Sequence, residues 1–352
     1  MNRAKKILIV RLSAIGDVVF ASPLIQALKR RFPDARLSWL VEPGAAPLLQ
    51  HHPDLDEVIL WPKSKWKLLW KERRAVSLWG EVREFRAGLR QRRFDLVIDL
   101  QGLMKSGLLA WLSGAPERIG LGSREGSQWL MTQVVDRGGD PKRIGSEYLH
   151  LGEQLGLVTG AFEMCVAIGD SDKEFIRDFI DARDLADGYL VVCPFTTRPQ
   201  KHWFSDRWEQ LIPRLRKELG APVVILGGPD DQVSSEKISK AAGAAAIDMS
   251  GKTSLTQAAA LVSHARLLVG VDTGLTHMGI AFSRPTVALF GSTCPYLDTT
   301  RENALVLYHK FICSPCRRNP TCDGEFSCMR AITVSEVMES VHKVTKIVPE
   351  TK

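Results

Sequence analysis

Along the whole chain, short apolar runs alternate with stretches in which apolar residues recur every three or four positions. In the first half the runs at 6–11, 36–41, 57–61, 94–100 and 118–121 read as strands. The stretches 20–32, 80–93, 103–113 and 148–155 carry helical spacing, with Pro23 tolerated in the first turn of the earliest one. In the second half strands are predicted at 189–193, 222–226, 245–249, 266–271 and 285–290. Helices are predicted at 173–183, 206–219, 230–242, 254–264 and 333–345, with Ser205 as the N-cap of the second and Gly220 as its stop. Strand and helix in regular alternation predict parallel sheets covered on both faces. The polar stretch 165–172 separates two such series. The expectation is therefore an α/β chain of two doubly wound, Rossmann-like domains, 1–165 and 166–352, with the last helix packing back on the N-terminal one. No repeat of 20–50 residues is visible, which excludes solenoids.

The length of 352 residues suits two cores of roughly 150–200 residues each. A hydrophobic content of 45% with 25% charged residues excludes extensive disorder. No apolar run approaches the roughly 18–20 residues that span a bilayer. Lys5 and Lys6 ahead of residues 7–10 imitate a signal peptide, but Arg11 and Asp17 interrupt it, so a first strand and a cytoplasmic protein are expected.

Charge changes this picture in one place. Residues 61–93 hold eleven Lys/Arg and three Glu, 11 − 3 = +8, against +7 for the chain, so the remainder sums to −1. Trp61, Trp66, Trp70 and Trp79 interleave with these cations. Basic residues with Trp suit an anionic membrane surface or a phosphorylated lipid, and equally a solvated helical face. Nucleic acid is not expected, since no recognised motif accompanies the patch. Four of the seven Cys cluster as Cys313-x2-Cys316-x5-Cys322-x5-Cys328. Four thiols this close suffice for Zn²⁺, but the later spacings depart from common zinc modules, and reduced thiols in a loop remain the alternative.

Three segments sit where strands give way to helices or turns. Val271-Asp272-Thr273-Gly274-Leu275-Thr276-His277 follows the apolar run 267–270, so that backbone N–H groups and a helix dipole converge as a phosphate cradle. Its companions are Ser13-Ala14-Ile15-Gly16-Asp17 after the first strand and Thr196-Thr197-Arg198-Pro199-Gln200-Lys201-His202-Trp203 after a middle strand. Ligands bind doubly wound sheets at the carboxyl ends of their strands, so all three are expected to face a cleft between the domains.

With Val97-Ile98-Asp99-Leu100-Gln101-Gly102-Leu103 and Lys105-Ser106, these segments resemble, in order and over nearly the whole chain, the lipopolysaccharide heptosyltransferases of glycosyltransferase family nine. The resemblance implies the GT-B fold and transfer of L-glycero-D-manno-heptose from ADP-heptose to a 3-deoxy-manno-octulosonic acid (Kdo) residue of lipid A. It looks closest to the enzyme that adds the first inner-core heptose, with a second-heptose enzyme, another core transferase or a sugar-nucleotide epimerase as alternatives. It implies a peripheral enzyme at the inner face of the cytoplasmic membrane, acting without metal or other cofactor.

Within that resemblance Asp17 matches the general base, though a Gly-Asp pair also suits a helix N-cap. Lys201 is the cation for the departing diphosphate, joined by the hydroxyls of Thr196 and Thr197 and the N–H groups of Thr273, Gly274, Leu275 and Thr276. Asp272 either orients a heptose hydroxyl or holds the Gly274 turn, and His277 either meets phosphate or packs. Asp231 is the ribose partner. Lys63, Lys65, Lys67 and Arg124 match the acceptor side, although Ser64 and Leu68 stand where the family pattern has cations. Asp54-Leu55-Asp56 and Asp170-Ser171-Asp172 imitate a metal-binding Asp-x-Asp but read as turn or cap residues.

Overall fold

The structure, a computed structural model, describes residues 5–293, 295–316 and 318–347. The chain forms two compact units, one of residues 1–140 and 145–167, the other of residues 141–144 and 168–352. The short strap 141–144 joins the second unit through backbone bonds: Ile144 N donates to Asp298 O at 2.8 Å and Asp298 N to Lys142 O at 2.7 Å.

In unit 1, β1 (Lys6–Val10), β2 (Arg36–Val41), β3 (Glu57–Leu60), β4 (Leu96–Asp99), β5 (Glu117–Leu121) and β6 (Gln133–Val135) form one parallel sheet in the order β3-β2-β1-β4-β5-β6. The helices are α1 (Ile15–Ala21), α2 (Pro23–Arg31), α3 (Lys63–Lys71), α4 (Ala75–Gln91), α5 (Met104–Leu112) and α6 (Ser146–Gln154). Both faces of the sheet are buried, which is why β1 reads as an unbroken apolar run instead of alternating. Val18, Leu24, Leu28, Tyr148 and Leu151 of α1, α2 and α6 cover one face. Leu89, Leu109 and Leu112 of α4 and α5 cover the other, over Leu8, Val10 and Val97.

Unit 2 repeats the plan with β7 (Leu190–Cys193), β8 (Val223–Ile225), β9 (Ala246–Asp248), β10 (Leu267–Val271), β11 (Thr286–Phe290) and β12 (Ala304–Tyr308), ordered β12-β11-β10-β7-β8-β9 and all parallel. Its helices are α7 (Asp170–Asp181), α8 (Ser205–Leu219), α9 (Gln232–Ala242), α10 (Leu255–His264), α11 (Gly274–Ala281), α12 (Ser327–Ala331) and α13 (Val334–Lys346). Ser254 opens α10 with a capping box, its Oγ accepting from Gln257 N at 3.1 Å while Gln257 Oε1 accepts from Ser254 N at 2.9 Å. Gly220, at φ +68°, closes α8 in the left-handed conformation that glycine adopts without a Cβ clash.

The structure departs from the sequence reading at several elements. The single helix expected over 20–32 is broken at Ser22: Pro23 has no N–H to continue α1, so it starts α2 instead. Ser22 bridges the break, its hydroxyl donating to Val19 O at 2.7 Å and accepting from Cys165 N at 2.8 Å. Ser205 is the first residue of α8, and Phe204 occupies the cap position expected for it. The basic stretch forms α3, and the edge strands β6 and β12 had no predicted counterpart. The last helix was expected on the N-terminal domain. Instead α13 packs Val337, Met338, Val341 and Val344 into the core of unit 2, with Trp208, Leu211 and Leu215 of α8. Leu211→Ala leaves a cavity in that core, and the expected cost is about 2–5 kcal/mol, read as a lower urea midpoint for the unfolding of unit 2.

Candidate active site

In each sheet the chain reverses direction between two neighbouring parallel strands, β1 and β4 in unit 1, β7 and β10 in unit 2. The carboxyl ends of such a pair form the ligand crevice of a doubly wound sheet. Lys201 follows β7 on the short helical turn Pro199–Lys201, and Asp272 ends β10, so both stand at the reversal of unit 2.

Asp272 is the centre of this edge. Its Oδ2 accepts from Lys201 Nζ at 2.6 Å and from Thr293 Oγ1 at 2.6 Å, while Oδ1 faces His277 Nε2 at 3.2 Å. Burial alone would raise the carboxyl pKa. The hydrogen bond and charge of His277, with the charge of Lys201, outweigh it and hold Asp272 well below the usual carboxylate range. His277 is 4% exposed, packs against Phe290 and Tyr296, and meets Tyr296 Oη through Nδ1 at 2.5 Å. Of its two sequence readings, phosphate contact or packing, the structure shows the packed one.

Around this centre, Thr196 Oγ1 is 3.5 Å from the Asp272 carbonyl, Thr197 is exposed, and Thr273, Gly274 and Leu275 lie half-exposed at the start of α11. Thr276 differs from expectation. Its side chain is buried and donates to Val271 O at 2.7 Å, and its N–H already donates to Thr273 O at 3.1 Å. The open N–H end of α11 is thus made by residues 273–275. Gly270 is required for this turn, because a Cβ there would collide with Thr276 Oγ1. Asp231 stands beyond β8, next to β7, and its Oδ2 accepts from Gly228 N at 2.8 Å, holding the glycine turn.

In unit 1, Asp17 lies in the first turn of α1 at the reversal between β1 and β4. Oδ2 accepts from Ala14 N at 3.1 Å and from Arg11 Nη2 at 2.5 Å. Asp17 is therefore not the N-cap itself: Ala14 holds that position, and Asp17, third in the helix, accepts the N–H of the cap residue. Arg11 is a residue the sequence reading missed. Its side chain is 8% exposed and crosses the strand pair, Nη1 donating to Leu100 O at 3.1 Å. The Gln101 side chain makes the same crossing in reverse, Oε1 accepting from Leu12 N at 3.0 Å. Beneath them Asp99 is fully buried and accepts from Gln101 N at 3.0 Å and Ser106 Oγ at 2.9 Å. Burial pushes its carboxyl up against these donors.

The acceptor-side cations part company. Lys63 pairs with Glu42 at 2.9 Å, and Lys105 reaches the same carboxylate at 3.9 Å. Burial, then the charge of Lys63, lowers the Lys105 pKa. Arg124 is exposed, its backbone N–H donating to Gly102 O at 3.0 Å beside the Gln101 loop. Lys67 is also exposed on α3, whereas Lys65 turns to Glu81 of α4 at 2.7 Å. There it lines a cavity of about 470 Å³ with Glu57, Phe85 and Arg92 at the β3 edge. Among the described residues no three His, Cys, Asp or Glu side chains are grouped to hold a metal ion. Asp54 lies in the turn before β3, its N–H donating to His52 Nδ1, Asp56 accepts from Leu37 N of β2 at 2.8 Å, and Asp170 opens α7.

A carboxyl depressed in the folded state adds stability that is complete above its unfolded pKa, about 4, and is lost as pH falls through the folded value. Asp272→Asn is expected to lower the thermal stability of unit 2 at neutral pH and to flatten its decline between about pH 4 and pH 2. An acid-side unfolding profile that overlays that of the parent protein contradicts the network.

The geometry can be set beside known proteins. Residues 82–325 match the family Glycosyltransferase family 9 (heptosyltransferase). Lipopolysaccharide heptosyltransferase 1 of Pseudomonas aeruginosa is 30% identical over 321 residues, 90% of this chain and 87% of the relative. The glycosyl transferase family 9 structure from Veillonella parvula superposes with a TM-score of 0.80 at 20% identity, covering 98% of each chain. The Escherichia coli heptosyltransferase WaaC bound to ADP-2-deoxy-2-fluoro heptose does so at 0.73 and 24% identity, covering 96% of this chain and 99% of that one. Relatives named heptosyltransferase 2 and heptosyltransferase 3 match at 26% and 27% identity. Two sheets with this strand order and this match over most of the length place the chain in glycosyltransferase family 9, the heptosyltransferases.

Proposed function

We propose that this enzyme transfers L-glycero-D-manno-heptose from ADP-heptose to a Kdo residue of lipid A, with inversion at the anomeric carbon. One observation carries the reading: Lys201 and the open start of α11 meet at the strand reversal of unit 2, held by Asp272. A cation and unpaired N–H groups at that place suit the diphosphate of a nucleotide sugar. Lys201, the hydroxyls of Thr196 and Thr197 and the N–H groups of residues 273–275 meet its charge without a metal ion, and Asp231 binds the ribose. Asp272 positions Lys201, and His277 supports Asp272 from behind.

Unit 1 supplies the base. Both contacts to Asp17 fall on Oδ2, and the side chain is 37% exposed, which leaves Oδ1 for an acceptor hydroxyl. In a single displacement the acceptor oxygen forms its bond to the anomeric carbon as its proton passes to Asp17. The bond from that carbon to the diphosphate breaks, and the electron pair leaves with ADP beside Lys201. Lys67 and Arg124 meet the anionic groups of the acceptor, with Lys63 held by Glu42 and Lys65 by Glu81.

Asp17→Asn separates the base from the cap, since the amide oxygen still accepts the Ala14 N–H. It is expected to stay folded, with a melting temperature lowered by the loss of the charge partner of buried Arg11, and to lose about 10²–10⁴-fold in kcat with ADP-heptose; near-parent turnover removes the assignment. The Ser64 and Leu68 substitutions, together with the matches to heptosyltransferases 2 and 3, favour as a second reading an acceptor that already carries heptose. Mass spectrometry of purified lipid A–core precursors after incubation with ADP-heptose decides between them. A gain of one heptose on the Kdo precursor is expected, and a gain only on the heptosylated precursor selects the alternative.

A further inference from the structure

Tryptophan is large and mostly buried in folded proteins, and here its exposure is partitioned sharply. Of the nine in the chain, Trp203 and Trp208 of unit 2 are buried as a T-shaped pair at 5.0 Å, and Trp39 is enclosed in unit 1. Trp61 and Trp66 of the basic stretch stack edge-on with Phe85 and pin α3 to α4. The exposed ones are Trp70 (76%), Trp79 (63%), Trp111 (44%) and Trp129 (84%), all in unit 1. They stand on α3, α4, α5 and the turn Ser127–Leu130 that packs on α5. Those helices cover one and the same face of the sheet. Their outer side therefore gathers every exposed tryptophan of the protein.

The rest of that side has two chemistries. Leu68, Val76 and Leu108 are exposed beside the aromatic rings. On α4, Val76, Trp79 and Arg83 follow one another at helical spacing, opposite the inward Val82, Phe85 and Leu89. On α3, Lys67 and Lys71 point outward, opposite Leu69, and Arg73 and Arg74 are exposed in the turn between the helices. This is the segment whose +8 accounts for the whole positive excess of the chain. A second copy of the same face would bring cation against cation. An anionic lipid surface complements both parts: phosphates for the cations, and the headgroup layer for indole rings that are apolar in body and polar at one edge.

We propose that the outer side of α3, α4 and α5 is a docking surface for an anionic bilayer, with Trp70, Trp79, Trp111 and Trp129 inserted at headgroup depth and Lys71, Arg73, Arg74 and Arg83 over lipid phosphates. It deepens the proposed function by specifying how the enzyme approaches a lipid-borne acceptor, and its test is independent of catalysis. The full-length protein is sedimented with vesicles of phosphatidylcholine alone and of phosphatidylcholine with phosphatidylglycerol in equal parts. Binding is expected only to the anionic vesicles and to fall with salt. Lys71→Glu with Arg83→Glu is expected to weaken it by about 25-fold or more, at about fivefold per cation lost. Trp70→Ser with Trp79→Ser is expected to weaken it about tenfold. Both double variants are expected to unfold at the parent temperature and to turn over a lipid-free Kdo acceptor at the parent rate. Equal binding to neutral vesicles, variants that partition like the parent, or a dimer in light scattering that the Trp variant abolishes would each overturn the surface. Vesicle binding that persists in a protein without heptose transfer would sink the proposed activity and leave the surface standing.

Discussion

A carboxylate taken out of water sets the terms for the β7–β10 edge of unit 2. Burying an isolated charge costs far more than a protein's net stability, so Asp272 is tenable only with partners on both oxygens. Lys201, Thr293 and His277 provide them, and each comes from a different segment that follows a strand or sits in a helix. The requirement fixes the turn after β7, the start of α11 and the loop after β11 relative to one another. His277 in turn is oriented by Tyr296. What binds at this edge meets a cation whose position was set before the ligand arrived, and such preorganisation costs nothing at the moment of reaction.

The alternation of apolar runs and helical stretches made the two doubly wound sheets legible, because a parallel strand buried on both faces writes an unbroken apolar run into the sequence. The strand ends at Asp17, Lys201 and Asp272 were legible for the same reason. What stayed hidden follows from tertiary partners. Nothing local distinguishes Arg11 as a buried cation that crosses to β4, and nothing local says that the hydroxyl and N–H of Thr276 are consumed by its own turn. Helix α13 shows amphipathic spacing, but only the packed structure shows which sheet its apolar face covers. The break at Ser22 had its signal in Pro23, and helical periodicity running through it masked that signal.

Composition fared likewise with the basic stretch. Its sequence blends four Trp and eleven cations into one patch, whereas the fold sorts them: Trp61 and Trp66 build the α3–α4 contact, Lys63, Lys65 and Arg92 find carboxylates, and Lys67, Lys71, Arg73, Arg74 and Arg83 are exposed with Trp70 and Trp79. Surface ion pairs contribute little to stability. Glu42 and Glu81 therefore matter less as glue than as the reason that Lys63 and Lys65 point to different places.

The two aspartates at the two strand reversals invite the same role by position, and their lone pairs separate them. A carboxylate that acts as a base needs an oxygen in reach of a substrate proton and not already taken by donors. On Asp272 both oxygens are engaged, burial is nearly complete and its acidity is strengthened, which suits a group that positions others. On Asp17 the helix cap and Arg11 both fall on Oδ2, and the side chain keeps access to solvent. Capping and catalysis are thus not competing assignments for Asp17. The donors that tie one oxygen to the helix leave the other open, as the proposed base requires.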